Sequence, residues 1–255
     1  PCTWGLAYAY NIEQNLNQFL YYLLLFFLGS LLMRSAGCIV NDIVDRDIDK
    51  KVIRTKNRPL ANDSISLKLA LTYVVILCAL AFFILIQFNV LTIILGFVSM
   101  ILAFSYPFMK RITYWPQLFL GLTFNWGIVM AWTAMTNNVS VEIIIFYAAA
   151  IFWTLGYDTI YGIQDIVDDE IIGVKSTSIK FKENIKLFVG ACYFLSSALI
   201  IYLFYDQLGL NNFTILVAIF IISLVYQIIK FKENNPRKCL QAFKVNNFSG
   251  FLLFF

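Results

Sequence analysis

The stretch LKLALTYVVILCALAFFILIQFNVLTIILGFVSMILAFSYPF, Leu67 to Phe108, decides the fold. Lys68 is its one charged residue. Two apolar runs, 67–86 and 91–108, flank Gln87-Phe88-Asn89. Each run has the roughly 20 mainly apolar residues that carry a helix across a bilayer. The polar break between them predicts a tight helical hairpin. Outward from this pair, similar runs lie near 1–10, 19–41, 115–135, 141–163, 185–204, 213–231 and 243–255. The first and last read as partial helices, because the sequence starts inside one apolar run and stops inside another. The expected fold is an all-α membrane protein, a single polytopic domain over 1–255 with nine spans, its terminal helices truncated.

Composition agrees. The chain is 60% hydrophobic and 13% charged, whereas a soluble domain carries about 25% charged residues. There is no histidine, which removes Ser-His-Asp hydrolysis, His-ligated haem or zinc, and imidazole acid-base catalysis. The five cysteines, Cys2, Cys38, Cys78, Cys192 and Cys239, are scattered without a CxxC pair and read as small packing residues. The net charge of +4 is not gathered with base-stacking elements, so no nucleic-acid partner is expected.

The charges are sorted along the chain. The connections 11–18, 87–89, 136–142 and 206–212 contain no Lys or Arg, whereas 45–68, 110–113, 173–186 and 230–244 hold every Lys and Arg except Arg34. The positive-inside rule puts the second set in the cytoplasm, the N-terminus inside and the C-terminus outside.

Two acidic clusters stand at the cytoplasmic ends of inward-running spans. In NDIVDRDID, Asn41, Asp45 and Asp49 recur at i, i+4, i+8. In YDTIYGIQDIVDDE, Tyr157, Tyr161, Asp165 and Asp169 form a second stripe. On a helix such positions stack on one face. Two like charges about 4 Å apart at an effective dielectric near 20 repel by about 4 kcal/mol, and an ionisable group within the bilayer costs about 2.5–3.5 kcal/mol more. Hard divalent cations offset both terms, and Mg²⁺ keeps coordination places for substrate phosphate. Two facing stripes suit two Mg²⁺ ions bridging to one diphosphate. One isolated DxxxD would read as solvated acids. Two, each flanked by cations, read as a functional site.

The flanking cations are Arg54 and Arg58 in RTKNRPL, Lys110 and Arg111 after FSYPFM, and Lys175 in GVKST. Arginine holds phosphate through a bidentate fork, lysine through a point charge. Arg34 lies within a span about two turns before Asn41. A charge there is functional by default. Its partner is either an anionic substrate or one of Asp158 and Asp42.

NDxxDxxxD, RTxNRPL, YPFMKR and YDTxYxxxDxxxD with GxKST resemble the UbiA superfamily of intramembrane prenyltransferases, from Leu32 to the end of the chain. LMRSAGC before Asn41, Tyr-Asp-Thr before Tyr161, and GVKST after Asp169 are most similar to the branch that prenylates 4-hydroxybenzoate in bacterial ubiquinone synthesis. The resemblance implies a nine-helix bundle in the inner membrane with a central cavity and a cytoplasmic cap. It implies Asn41, Asp45, Asp49, Asp165 and Asp169 as metal positions, with the aspartates catalytic. It implies Asn41, Arg54, Arg58, Tyr106, Lys110 and Lys175 on the diphosphate of a polyprenyl donor. Arg34 would face the aromatic carboxylate, with Tyr157, Asp158 and Tyr161 around the acceptor. The family has further chain before its first helix, including an Arg-Pro segment, which this sequence lacks.

The expected chemistry is electrostatic. Cations stabilise charge growing on the diphosphate as the allylic bond breaks. The ring carbon ortho to the phenol then attacks, and a carboxylate takes the proton. Some of the aromatic residues, 17% of the chain, would face the allyl cation, and the isoprenoid tail would leave through a lateral opening to lipid. The rival readings are another acceptor within the superfamily (haem O synthase, naphthoate or homogentisate), a transporter with an intramembrane acidic relay, or a structural membrane subunit.

Overall fold

The structure, a computed structural model, describes residues 1–50, 55–233 and 235–252. All regular elements among them are helical. They are α1 (Cys2–Glu13), α2 (Leu16–Asp49), α3 (Leu67–Leu85), α4 (Val90–Ile112), α5 (Pro116–Thr136), α6 (Val141–Gly162), α7 (Ile166–Ile172), α8 (Thr177–Lys180), α9 (Ile185–Leu203), α10 (Asn212–Lys230), α11 (Pro236–Lys244) and α12 (Asn246–Leu252).

The boundaries follow local chemistry. Asn15, Ser66, Asn89, Ser140, Ser176, Asn211 and Asn235 each precede a helix, and their side chains accept from the backbone N–H three residues on. This satisfies a donor that the first turn leaves open. Gln14 and Asn137 end α1 and α5 in the left-handed conformation, a common helix stop.

Seven helices, α2 to α6, α9 and α10, are long and apolar enough to cross a membrane. They match seven of the nine runs. α2 is longer than its apolar run, because the NDIVDRDID stripe continues the helix to Asp49. The two terminal runs differ. α1 has 12 residues, and the last run begins in the final two residues of α11, which starts at Pro236, and resumes after Val245 as α12. These two ends meet, for the Trp4 indole N–H donates to the Gly250 carbonyl at 2.8 Å.

The predicted hairpin forms across Ile86–Asn89, with Asn89 capping α4. Its arms touch near the turn through the rings of Phe82 and Phe97. Beyond it they part, α3 packing along α2 and α4 along α5. The core centres on α5 and α6, where Trp132, Phe146, Trp153 and Ile160 are buried. Val75 and Phe83 of α3 are 67% and 63% exposed, as a lipid-facing helix requires. Side-chain hydrogen bonds join the spans: Asn125 Nδ2 donates to Ala150 O and Thr154 Oγ1, and the Tyr193 hydroxyl to Gln227 Oε1. Such bonds contribute about 0.6 kcal/mol each inside a membrane protein.

The charge-sorted connections fall at opposite ends of the bundle. At one end Asn89 donates to the carbonyls of Thr133 and Ala134, and Tyr8 packs on Trp132 and Phe204. At the other, Arg111 donates to Val44 O, Lys175 N–H to Lys110 O, and α11 packs against residues 163–165.

Candidate active site

The basic end holds a polar cavity of about 240 Å³. Four segments build it. The last turns of α2 contribute Asn41, Asp45 and Asp49, and the following loop Thr55 and Arg58. The end of α4 contributes Tyr106 and Lys110, with Gln117 from the start of α5. The end of α6 and the chain beyond it supply Asp158, Tyr161, Asp165, Asp169, Lys175 and Ser176. Both acidic stripes therefore reach one chamber.

The local fold explains the convergence. Asn41, Asp45 and Asp49 share a face because α2 stays helical through all of them. The second stripe departs from the expected continuous helix. α6 stops at Gly162, residues 163–165 form a 3₁₀ turn, and α7 begins at Ile166. A tighter turn advances about 120° per residue rather than 100°, so Asp165 and Asp169 are rotated relative to Tyr157. Tyr161, Asp165 and Asp169 line the cavity. Tyr157 is buried instead against Trp153 and Phe243. Gly162 is required by packing: a Cβ there would collide with Ser178 Oγ and lie 3.3 Å from Gln117 Nε2. At the far end of α7, Gly173 adopts φ 81°, and the N–H groups of Gly173 and Val174 both bond Asp169 O. This cap turns the chain back, so that Lys175 and Ser176 return to the cavity wall.

Polar partners hold that wall. Thr177 N–H donates to Gln117 Oε1 at 2.9 Å, Ser178 Oγ to Thr159 O at 2.7 Å, and the Thr159 and Thr177 hydroxyls share a bond of 2.7 Å. Thr159, Thr177 and Ser178 are fully buried. The KST run is thus an anchor to α5 and α6 as well as the carrier of Lys175, whose Nζ donates to Ile112 O. Sequence reasoning missed Gln117, Thr159 and Ser178. The available signal was a polar residue isolated in an apolar run, since membrane interiors make such residues seek partners.

The carboxylates of α2 are engaged by cations. Arg58 Nη1 lies 2.9 Å from Asp42 Oδ1 and 2.9 Å from Asp49 Oδ2. Lys110 pairs with Asp45, and Arg111 Nη2 is 3.6 Å from its other oxygen. Outside the spans, Arg46 and Lys50 both donate to Asp63 and hold its carboxyl below the usual range.

Arg34 is exposed on α2 and does not line the cavity. Among the described residues it forms no ion pair with Asp42 or Asp158. Asp42 takes Arg58 instead. Arg54 lies outside the described residues.

The donor set suits a hard cation. It consists of carboxylate, amide, hydroxyl and phenol oxygens, and Asp45 Oδ1 is buried without a hydrogen-bond donor. Among the described residues no three acidic groups already surround one point. Mg²⁺ does not need that, since it binds through one or two carboxylates with water and substrate phosphate completing the shell. The residues fit the ion.

A profile of the UbiA prenyltransferase family matches residues 1–252. The chain belongs to the UbiA prenyltransferase family. Among its UbiA relatives, a 4-hydroxybenzoate octaprenyltransferase of Vibrio parahaemolyticus is 41% identical over 234 residues, 91% of this chain and 81% of the relative. A mitochondrial 4-hydroxybenzoate polyprenyltransferase of Bos taurus is 40% identical over 262 residues, all of this chain and 68% of the relative. A solved UbiA homologue from Archaeoglobus fulgidus, bound to GPP and Mg²⁺, superposes with a TM-score of 0.73 at 18% identity, covering 99% of this chain and 93% of that one.

Proposed function

We propose that this UbiA protein transfers a polyprenyl group from polyprenyl diphosphate to the ring carbon of 4-hydroxybenzoate ortho to the hydroxyl, a step of ubiquinone synthesis. One observation carries the reading: two acid stripes from separate spans, with Arg58, Tyr106, Lys110 and Lys175, line one cavity. The relatives at 40–41% identity support the acceptor, and the homologue holding GPP and Mg²⁺ supports the donor and the ion.

Asn41, Asp45, Asp49, Asp165 and Asp169 would hold Mg²⁺. The ion supplies Lewis-acid stabilisation of charge on the leaving diphosphate. Arg58 and Lys110, engaged by Asp42, Asp49 and Asp45 here, transfer part of their hydrogen bonding to the diphosphate when it enters. Tyr106, one turn before Lys110 on α4, and Lys175 line the same cavity and complete the diphosphate contacts. The allylic carbon points inward, away from the basic mouth, toward the buried aromatic core that excludes water. Arg34 and Tyr157 form the carboxylate side of the acceptor site, reached as the acceptor extends from the cavity toward α2.

The chain is multi-pass, a single nine-helix domain in which α1 and α12 contribute to the first and ninth segments. The basic connections support a cavity mouth on the cytoplasmic side of a bacterial inner membrane. The test is mass spectrometry of the product formed by purified protein with Mg²⁺, 4-hydroxybenzoate and a polyprenyl diphosphate. Prenylated 4-hydroxybenzoate is expected. Product with a naphthoate or homogentisate acceptor only would overturn the acceptor assignment.

A further inference from the structure

Within this reading, we propose that Asp158 is the group that takes the ring proton of the aromatic acceptor. The reaction needs a base on the inner side of the diphosphate, beside the carbon being attacked. The carboxylates of α2 are poorly placed for that work. Asp42 and Asp49 share Arg58, and Asp45 is paired with Lys110 at 3% side-chain exposure. Each would have to give up a cation partner to take a proton. Asp165 and Asp169 lie at the mouth, beyond the break in α6.

Asp158 differs in depth and company. It lies one helical turn before Tyr161 and two before Asp165, about 10 Å further into the bundle along a helix that rises 1.5 Å per residue. It lines the cavity. Among the described residues it has neither a cation nor a hydrogen-bond donor as partner. Tyr106, a phenol from α4, lines the same cavity. A carboxylate with no cation partner can take a proton without breaking an ion pair.

The step balances. The allylic C–O bond of the donor breaks and its electron pair leaves on the diphosphate. The ring carbon ortho to the hydroxyl bonds the allylic carbon. The hydrogen on that ring carbon passes as a proton to the Asp158 carboxylate, its bonding pair restores the aromatic ring, and the carboxylic acid later loses the proton through the cavity mouth.

The experiment compares unlabelled 4-hydroxybenzoate with 4-hydroxybenzoate deuterated at both positions ortho to the hydroxyl. The donor is geranyl diphosphate with Mg²⁺, and the proteins are the unvaried chain, Asp158→Asn and Asp158→Glu. The expected result is a fall in kcat of about 100-fold or more for Asp158→Asn, with the KM for geranyl diphosphate within a few-fold. Asp158→Glu, which keeps a displaced carboxylate, is slowed less. Both variants show a primary deuterium effect on kcat that the unvaried chain lacks, because proton removal has become rate-limiting. Loss of rate without the isotope effect, or Asp158→Asn retaining kcat, overturns the assignment and leaves the prenyltransferase reading intact. If Asp158→Asn does not fold, the isotope effect in Asp158→Glu decides. An unvaried chain that makes no prenylated 4-hydroxybenzoate overturns the functional reading and this assignment together.

Discussion

Lys110, at the end of α4, is ion-paired with Asp45 of α2, a carboxylate 2% exposed to solvent. The pair ties two spans together at the cavity and leaves the second carboxylate oxygen without a donor. Lys110→Met leaves the buried Asp45 carboxylate with the more distant Arg111, at 3.6 Å, as its cation partner, a change that costs up to about 3–5 kcal/mol in comparable sites. A lower Tm in detergent is expected, measured by fluorescence. Lys110→Met combined with Asp45→Asn should recover most of the loss, since the charge that needed a partner is gone. Transfer activity should stay abolished in the double variant. Equal Tm values for single and double variants would show that the pair contributes nothing.

The metal assignment predicts that EDTA stops product formation and Mg²⁺ restores it. Asp165→Ala and Asp45→Ala should each lower turnover by at least about 100-fold, the range that follows loss of one electrostatic stabiliser, while the protein still inserts into membranes. Turnover that persists in EDTA rules the metal reading out.

Gly162 sits where any side chain would meet Ser178 and Gln117. Gly162→Ala should displace the wall carrying Lys175 and reduce kcat by about tenfold, and pairing it with Ser178→Ala should restore part of the rate by making room. The measurement is steady-state kinetics on the single and double variants.

Arg34→Ala should raise the KM for the aromatic acid by at least about tenfold, the loss of roughly one charged hydrogen bond, and leave that for the prenyl donor nearly unchanged. Equal shifts in both constants would make Arg34 a structural residue.

Asp63 supplies a pH prediction. Its carboxyl is held below its ordinary value of 3.8 by Arg46 and Lys50. A depressed folded value means that the stabilisation is present above 3.8 and lost as pH falls through the lower, folded value. Below pH 4 the loop after α2 should loosen, seen as faster proteolysis between residues 55 and 66. Asp63→Asn should show the loosened pattern already at pH 7. High salt should weaken the latch as well, because the groups are exposed.

Much of this was legible from spacing. The Leu67–Phe108 hairpin followed from run length and one polar break, and both acid stripes followed from i+4 recurrence. The sorting of basic loops gave the end of the bundle where Asp45 and Asp165 meet. The rest depends on tertiary partners. No residue in Ile163-Gln-Asp165 marks a 3₁₀ turn, so the rotation of Asp165 away from Tyr157 was invisible until Ser178 was seen against Gly162. The choice of Arg58 over Arg34 as the partner of Asp42 depends on how the loop folds back, which no local pattern encodes. Gln117 and Thr159 are single polar letters whose meaning is the contact each makes.

The bond between the Trp4 indole and the Gly250 carbonyl joins residues 246 positions apart in sequence. A ribosome feeding this chain into a membrane delivers α1 long before α12 exists. Until then the indole N–H has no Gly250 carbonyl to reach, although its ring can already pack on Phe146 and Trp153 of α6. Closure is therefore a late assembly event. Substitutions near Gly250 should act on biogenesis, leaving a partly assembled protein to cellular quality control, even though they lie far from every charged group in the chamber.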